Sequence, residues 1–212
     1  MKNISSLFAG LFLFLNMNKL RLATVSDAEA MLNIYSPFIL NSGITQEVEL
    51  PSLEDFGKRV VFNLMERPWL VCEIEGEVAG YAYAGKHRER SGYQWCTEPS
   101  VYISEKYQRL RVALALYSAL FDILKIQGYV NAYAVITLPN EKSVAFHENF
   151  GFSYLTTYRK IGYKLNEWHD VGWWELQINP HEPIPTAPFA LPEIDISMLN
   201  QILYKAGSLL KK

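Results

Sequence analysis

Apolar positions recur along this chain with two spacings, one typical of helices and the other of strands. Spacings of three and four residues predict five helices, at about residues 27–40, 52–64, 111–127, 140–150 and 194–210. The 111–127 helix shows this spacing most clearly, and Gly128 ends it because glycine tolerates the left-handed conformation at a helix end. Its apolar face carries Val112, Leu116, Leu120 and Leu124.

Seven apolar or alternating runs predict strands, at about residues 20–23, 69–74, 78–85, 95–104, 129–136, 152–164 and 168–178. The turn Glu75-Gly76-Glu77 predicts that the second and third strands form an antiparallel hairpin. In the fourth strand we expect Val101 and Ile103 to face one side of the sheet and Tyr102 the other. The fifth strand is apolar apart from Asn131, which predicts a strand covered on both faces.

The two ends of the chain differ in composition from the middle. Residues 1–16 hold an apolar run that is too short to span a bilayer and lacks a small-residue cleavage site. We interpret them as a retained extension or an over-long start, with Met17 as the natural beginning; a targeting signal and a membrane-surface or partner helix are the alternatives. Residues 179–212 combine a proline-rich linker with the amphipathic C-terminal helix. The segment between them, 17–178, is the predicted domain.

Composition narrows the class of protein. At 212 residues, of which 50% are hydrophobic, the chain can bury the core of one domain with an appendage. A net charge of −2 gives no basic surface for nucleic acid. Two cysteines, Cys72 and Cys96, lie in predicted strands without the spacing of a disulfide framework or a metal site. We therefore expect a cytoplasmic protein with no metal, nucleic-acid partner or membrane span.

The segment Gln108–Ala113 lies between a predicted strand and the clearest helix. A helix N-terminus presents unpaired N–H groups and the positive end of the helix dipole, which suits a pyrophosphate. Lys106, Arg109 and Arg111 add positive charge there. The alternative is a solvated turn with three surface cations, and this segment alone leaves both interpretations open.

Four polar residues could have either a functional role in binding or catalysis or a purely structural role. Asn140 and Ser143, at the start of the 140–150 helix, could bind a ligand or cap the helix. His147, in its middle, could be catalytic or simply packed. Glu98, in an otherwise apolar strand, could be a general base whose pKa is raised by burial, or an edge residue that faces solvent.

These segments resemble the motifs of the GNAT acyltransferase superfamily. The shared features are the strand, the Q-R-x-x-x-A loop, the helix, the Leu-Pro-Asn strand end and the helix that ends in Gly-Phe. More narrowly, the resemblance to the phosphinothricin acetyltransferase group rests on Pro68–Val71, Ala79–Gly85, Glu98–Tyr102 and Trp168–Gly172. The likeness covers about residues 18–178. It implies an α/β (α+β) fold, in which helices flank a mixed, mostly antiparallel sheet whose strands splay apart at the acetyl-CoA site.

The resemblance also implies roles for individual residues. Acetyl-CoA would be the co-substrate, with its pantetheine on the fourth strand and its pyrophosphate on the loop and helix start that follow. The implied cofactor-binding residues are Val101, Tyr102, Ile103, Gln108, Arg109, Arg111, Val112, Ala113, Asn140 and Ser143. Glu98 would take the proton of the substrate amine through water. His147 stands where many superfamily members have a tyrosine acid, and would protonate the leaving thiolate or bind CoA.

The implied acceptor is a small amino-acid-like acid, such as phosphinothricin, methionine sulfoximine or methionine sulfone. Its α-amine would attack the thioester directly in a ternary complex. Arg88 and Arg90 would hold its carboxylate or phosphinate, and Tyr35 and Tyr93 would line the pocket. Another amine or a protein N-terminus is the alternative acceptor. Likeness around Trp168–Trp174 further implies a homodimer.

Arg111 departs from the family pattern, because the superfamily loop usually has glycine at this position. Glycine lets the backbone approach the pyrophosphate closely. The β carbon of Arg111 could obstruct that approach, or its guanidinium could bond a phosphate directly. A non-catalytic CoA-binding relic is therefore an alternative to an active N-acetyltransferase, although the presence of Glu98 favours the enzyme.

Overall fold

Seven strands form one mixed sheet in the computed structural model, which describes residues 18–211. The strands are β1 (Lys19–Leu22), β2 (Trp69–Ile74), β3 (Glu77–Lys86), β4 (Cys96–Ile103), β5 (Asn131–Leu138), β6 (Ser153–Lys164) and β7 (Glu167–Gln177). Their order across the sheet is β1-β2-β3-β4-β5-β7-β6. All neighbours are antiparallel except β4 and β5, which are parallel. The predicted mixed, mostly antiparallel sheet is confirmed.

Within residues 18–211, five α-helices connect and cover these strands. They are α1 (Ala28–Asn41), α2 (Leu53–Leu64), α3 (Val112–Gln127), α4 (Glu141–Phe150) and α5 (Ile196–Gly207). The first four agree with the predicted ranges to within a residue at each end. The last is shorter than predicted at both ends. Asp195 caps its start by accepting hydrogen bonds from the N–H groups of Ser197 and Met198, and after Gly207 the chain leaves the helix in turns.

Two apolar cores lie on opposite faces of the sheet. The larger core joins the sheet to α3 and α5, and the smaller joins it to α1 and α2. Val101 and Ile103 pack against the larger core and Tyr102 against the smaller, as the alternation along β4 predicts.

The prediction for β5 was wrong in one respect. The strand is not covered on both faces, since Val135 is 39% exposed. Its side chain lines a groove with Tyr158 and Trp173 instead of meeting a helix. The apolar residues of β5 therefore line a groove on one face of the sheet and pack into the core on the other.

The C-terminal segment packs along the rest of the chain. Gln127, at the end of α3, donates from Nε2 to the carbonyls of Glu66 and Phe189, and its own carbonyl accepts from the Phe189 N–H. Leu191 donates its N–H to the Glu66 carbonyl. Beyond this point α5 lies against α3 and β1. The segment thus covers one edge of the larger core.

Cys72 is buried in β2 and Cys96 begins β4, and both are free thiols. Within residues 18–211, no helix has the length and apolar character needed to cross a membrane. The same part of the chain holds no group of three potential metal ligands. The interpretations of residues 1–16 fall outside the described residues, and the cytoplasmic location stays a prediction.

Candidate active site

A gap opens in the sheet between β4 and β5. Cys96 pairs with Asn131 and Thr97 with Ala132, whereas residues 98–103 pair only with β3. Backbone N–H and C=O groups on the β5 side of this stretch are open to a ligand. Val101, Tyr102 and Ile103, which we expect to contact pantetheine, stand along it. The predicted splayed strands are confirmed.

The loop from Gln108 to Arg111 enters α3 through two left-handed residues. Arg109 has φ 68° and Arg111 has φ 62° and ψ 21°. Loops of this kind turn successive N–H groups into a concave anion site. Ala115 is the residue whose N–H bonds back to the Arg111 carbonyl, so the N–H groups before it in the first turn point out of the helix end. The loop and helix start therefore fit a pyrophosphate.

The cations near this loop are not equivalent. Arg109 and Arg111 are exposed, and neither forms an ion pair within the described chain. Lys106 instead bonds Glu77 at 2.7 Å, and the same carboxylate accepts from the Tyr107 hydroxyl. The charge of Lys106 is offset by Glu77, so the expected contribution of Lys106 to an anion site is reduced.

Arg111→Gly is expected to raise the free energy of unfolding by about 0.5–1 kcal/mol, because a left-handed side chain costs more than the extra freedom of glycine in the unfolded chain. Denaturant unfolding measures this. Arg90→Gly is the matched control, since Arg90 is exposed but has φ −71°. Calorimetry with acetyl-CoA then shows which role the Arg111 side chain has. Tighter binding by Arg111→Gly indicates that the side chain obstructs the pyrophosphate, and weaker binding indicates that it contacts a phosphate. If both variants changed the free energy of unfolding by the same amount, the inference that Arg111 is strained would be contradicted.

Glu98 lies on the face of β4 that points toward α1 and α2. Its side chain is 30% exposed, and its Oε1 is 2.7 Å from Nδ1 of His87. The guanidinium of Arg88 is 3.6 Å from the same oxygen. The His87 ring stacks on Tyr133 with ring centroids 4.7 Å apart. Glu98 is thus a half-buried carboxylate held by two basic side chains.

Two of the four predicted substrate residues join this cluster. Arg88 lies over the ring of Trp173, with its Cζ 5.6 Å from the ring centroid. Tyr93 meets the edge of His87 at 6.3 Å between ring centroids. Arg90 is exposed and makes no side-chain ion pair among residues 18–211. The cluster therefore places one arginine and one tyrosine beside Glu98.

Tyr35 lies farther along the same face of the sheet. Its ring centroid is 4.6 Å from that of Tyr102, and its hydroxyl is 2.7 Å from Oγ1 of Thr45 and 3.1 Å from Oε2 of Glu47. Burial raises the pKa of Tyr35 to about 12. Arg59 binds Glu47 at 2.6 Å and shares with Tyr35 the wall of a cavity of 180 Å³. Tyr35 lines a pocket, but one separate from the Glu98 cluster.

The predicted residues at the start of α4 and within it form hydrogen bonds to other groups of the protein. Asn140 caps the helix, because its Oδ1 accepts from the Ser143 N–H at 3.2 Å. His147 is 6% exposed, with Nδ1 2.8 Å from the Ser143 carbonyl and Nε2 3.0 Å from the Tyr117 hydroxyl. Since Nδ1 faces an acceptor, we assign the proton to Nδ1 and Tyr117 as the donor to Nε2. Asn140 therefore caps the helix, and its predicted contact with the ligand stays a prediction.

In His147→Gln, the free energy of unfolding is expected to fall less steeply below pH 6.5 than in the unmodified protein. Burial lowers the pKa of His147 below its usual 6.5, so the unfolded chain binds more protons between the two values. The stability contributed by neutral His147 is therefore present above pH 6.5 and falls as the pH decreases toward the folded pKa. Unfolding free energies between pH 5 and 7.5 measure this slope, with His181→Gln, an exposed histidine, as the control. Equal slopes in both variants would contradict the expectation.

Several residues of these clusters were not predicted from the sequence, among them His87, Trp173 and Tyr117. His87 follows from the strand register: Gly85 pairs with Glu98, and His87, two residues after Gly85, lies on the same face and diagonally opposite Glu98. Trp173 and Tyr117 carry no local signal of their own, since each resembles an ordinary apolar position in a strand or helix. They become neighbours of the site through β7 and α3.

Comparison with known proteins agrees with this geometry. The family described as "Acetyltransferase (GNAT) domain" matches residues 20–173. The chain belongs to this GNAT acetyltransferase family, and it is an acyltransferase, as predicted. Acetyltransferases of the family use acetyl-CoA, which confirms the expected co-substrate.

Individual relatives narrow the likeness to one group. The chain is 38% identical to a phosphinothricin N-acetyltransferase of Streptomyces viridochromogenes over 172 residues, which are 80% of this chain and 93% of the relative. It is 28% identical to an L-methionine sulfoximine/L-methionine sulfone acetyltransferase of Salmonella typhimurium over 166 residues, covering 76% and 95%. The structure of a phosphinothricin acetyltransferase of Sinorhizobium meliloti with acetyl-CoA superposes with a TM-score of 0.76 at 28% identity, covering 80% and 94%. The predicted resemblance to the phosphinothricin acetyltransferase group is confirmed.

Proposed function

We propose that this enzyme acetylates the α-amine of a small amino-acid-like acid of the phosphinothricin, methionine sulfoximine or methionine sulfone type. The observation that carries the proposal is the Glu98 cluster at the opening between β4 and β5. There, a half-buried carboxylate lies 3.6 Å from the cation of Arg88. A base for an amine and a cation for an acid are the two groups that such a substrate requires.

In this proposal Glu98 is the general base. Its Oε1 accepts from Nδ1 of His87, which fixes the orientation of the carboxyl group. The other carboxylate oxygen has no hydrogen bond from the described residues and can accept a proton from the substrate ammonium, directly or through water. The free amine would then attack the thioester carbonyl in the ternary complex and form the amide bond. The carbon–sulfur bond would break, and CoA would leave as a thiolate that takes up the second proton lost by the nitrogen.

The acid group of the substrate is assigned to the arginines of the β3–β4 connection. Arg88 is held over Trp173, so its guanidinium has a defined position beside the groove that Trp173 and Val135 line. Arg90 is exposed two residues farther on and is the second proposed contact. Tyr93 adjoins the cluster through His87, and Tyr35 is proposed to line the inner pocket.

Acetyl-CoA is assigned to the gap and the loop that follows it. Backbone groups of Val101, Tyr102 and Ile103 would hold pantetheine and polarise the thioester carbonyl. The remaining proposed contacts are Gln108, Arg109, Arg111, Val112, Ala113, Asn140 and Ser143. His147 stays a predicted participant, as the acid for the leaving thiolate or as a CoA contact. Its ring is buried, and its Nε2 lies 3.0 Å from the Tyr117 hydroxyl.

The proposal is tested by following thiol release from acetyl-CoA with a panel of acceptors. L-phosphinothricin, methionine sulfoximine and methionine sulfone are expected to be turned over. N-acetyl-phosphinothricin, in which the amine is blocked, is the matched control and should give only the hydrolysis rate. Turnover of peptides alone would instead favour protein N-terminal acetylation. Tight acetyl-CoA binding without turnover of any acceptor would contradict the enzyme and favour the relic.

We also propose a homodimer formed through the β6–β7 hairpin. This hairpin exposes a set of large apolar side chains that a second copy could bury: Tyr154, Leu155, Tyr158, Ile161, Tyr163, Leu165 and Trp168. Ile161→Glu is expected to give a monomer in light scattering at a concentration where the unmodified protein is a dimer. Ile184→Glu, at a 91% exposed position outside the hairpin, should leave the mass unchanged. A monomeric unmodified protein would contradict the proposal.

A further inference from the structure

The C-terminal tail reaches the anion loop. After α5 the chain turns, with Leu209 donating its N–H to Ala206 and Leu210 to Gly207. Leu209 and Leu210 pack against the larger core, and the next residue, Lys211, donates its backbone N–H to the Leu110 carbonyl at 3.1 Å. The tail is therefore bonded to the middle of the Gln108–Arg111 loop.

Leu110 is the residue between the two left-handed arginines. A non-glycine residue keeps such a conformation only where its surroundings determine it. At its ends the loop is held by Gln108 N–H to Glu105 and by Ala115 N–H to Arg111. The hydrogen bond from Lys211 is the one that, within the described chain, comes to this loop from a distant element.

This bond sets the direction of an amide. The peptide bond between Leu110 and Arg111 is trans, so its carbonyl and its N–H point in opposite directions. With the carbonyl turned toward Lys211, the Arg111 N–H is turned away from the tail. No described residue accepts from that N–H, which leaves it for an anion.

We propose that the C-terminal tail positions the Leu110–Arg111 peptide for the pyrophosphate of acetyl-CoA. Lys211 is then a positioning residue that acts through its backbone N–H. The inference rests on the acetyl-CoA site proposed above. It gives a role to a segment that lies outside residues 20–173, the range matched to the family. It also gives the loop, which lacks glycine at Arg111, an external support for its conformation.

Lys211→Pro tests the inference, because proline has no N–H, and Lys211→Ala is the matched control that keeps the N–H. Calorimetry with acetyl-CoA on the otherwise complete chain is expected to show about 3- to 10-fold weaker binding for Lys211→Pro, the loss of one net hydrogen bond. Lys211→Ala should stay within about twofold of the unmodified protein, on the same scale. The kcat at saturating acetyl-CoA should be equal in all three proteins, so the change appears in KM.

A second variant, ending at Leu210, removes the same N–H without introducing proline and should match Lys211→Pro. Unchanged binding in either variant would overturn the inference, and so would an equal loss in Lys211→Ala, which would assign the effect to the side chain. Failure of the unmodified protein to bind acetyl-CoA is a distinguishable result, because it contradicts the proposed site itself.

Discussion

Glu98→Gln is expected to lower turnover by about 10²–10⁴-fold, the usual contribution of a general base, while acetyl-CoA affinity changes little. Glutamine keeps the shape of the side chain and can still accept from Nδ1 of His87, so the cluster stays in place. It cannot take the proton of the substrate ammonium. Thiol release at saturating substrate, measured between pH 6 and 9, reports the loss.

Glu89→Gln is the matched control for this variant. Glu89 stands in the same β3–β4 connection, but its side chain is 90% exposed and pairs only with Lys86 among the described residues. Its replacement should leave kcat unchanged. An unaltered rate and pH profile in Glu98→Gln would exclude Glu98 as the base.

Removal of residues 191–212 is expected to abolish cooperative folding. The segment contributes five buried large apolar side chains to the larger core: Leu191, Ile194, Leu199, Ile202 and Leu203. Each is worth about 1.5–3 kcal/mol when fully buried. Their sum is comparable with the whole stability of an ordinary domain, about 5–15 kcal/mol. Thermal unfolding followed by circular dichroism should show no sharp transition.

A single exposed position on α5 gives the control for the truncation. Tyr204 is 78% exposed, and Tyr204→Ala should melt within a few degrees of the unmodified protein. A truncated chain that melts as sharply, at nearly the same temperature, would show that the chain up to residue 190 folds without residues 191–212. That outcome would contradict the packing argument.

Most of the fold could be predicted from local pattern. The leucines of α3 recur at helical spacing, and Ser52 marks the start of α2 by accepting from the Asp55 N–H, so both elements are specified within a few neighbouring residues. The exposed side of β5 could not be predicted. Its apolar residues have the same pattern whether they meet a helix or line a groove, and the neighbours of Val135 in that groove come mostly from β6 and β7, which lie later in the chain.

The candidate site was predicted in its parts but not in its contacts. Glu98 and Arg88 were identified, yet the hydrogen bond from His87 depends on the pairing of β3 with β4, which residue types do not specify. Likewise the sequence shows Lys106 as a free cation, because its partner Glu77 lies 29 positions earlier in the chain. Long-range pairing is the physical information that local pattern lacks.

The separation of β4 from β5 has a practical consequence for handling the protein. Two residue pairs, at Cys96 and Thr97, join β4 to β5 in the described chain, and the adjacent Trp95 carbonyl accepts from the N–H groups of Val130 and Asn131. A ligand in the gap binds the folded chain and not the unfolded one, so by mass action it raises the apparent free energy of unfolding by about 2.7 kcal/mol at a concentration 100 times its Kd. The melting temperature rises with it. Preparations that retain acetyl-CoA through purification will therefore store and crystallise differently from stripped ones, even though the polypeptide is identical.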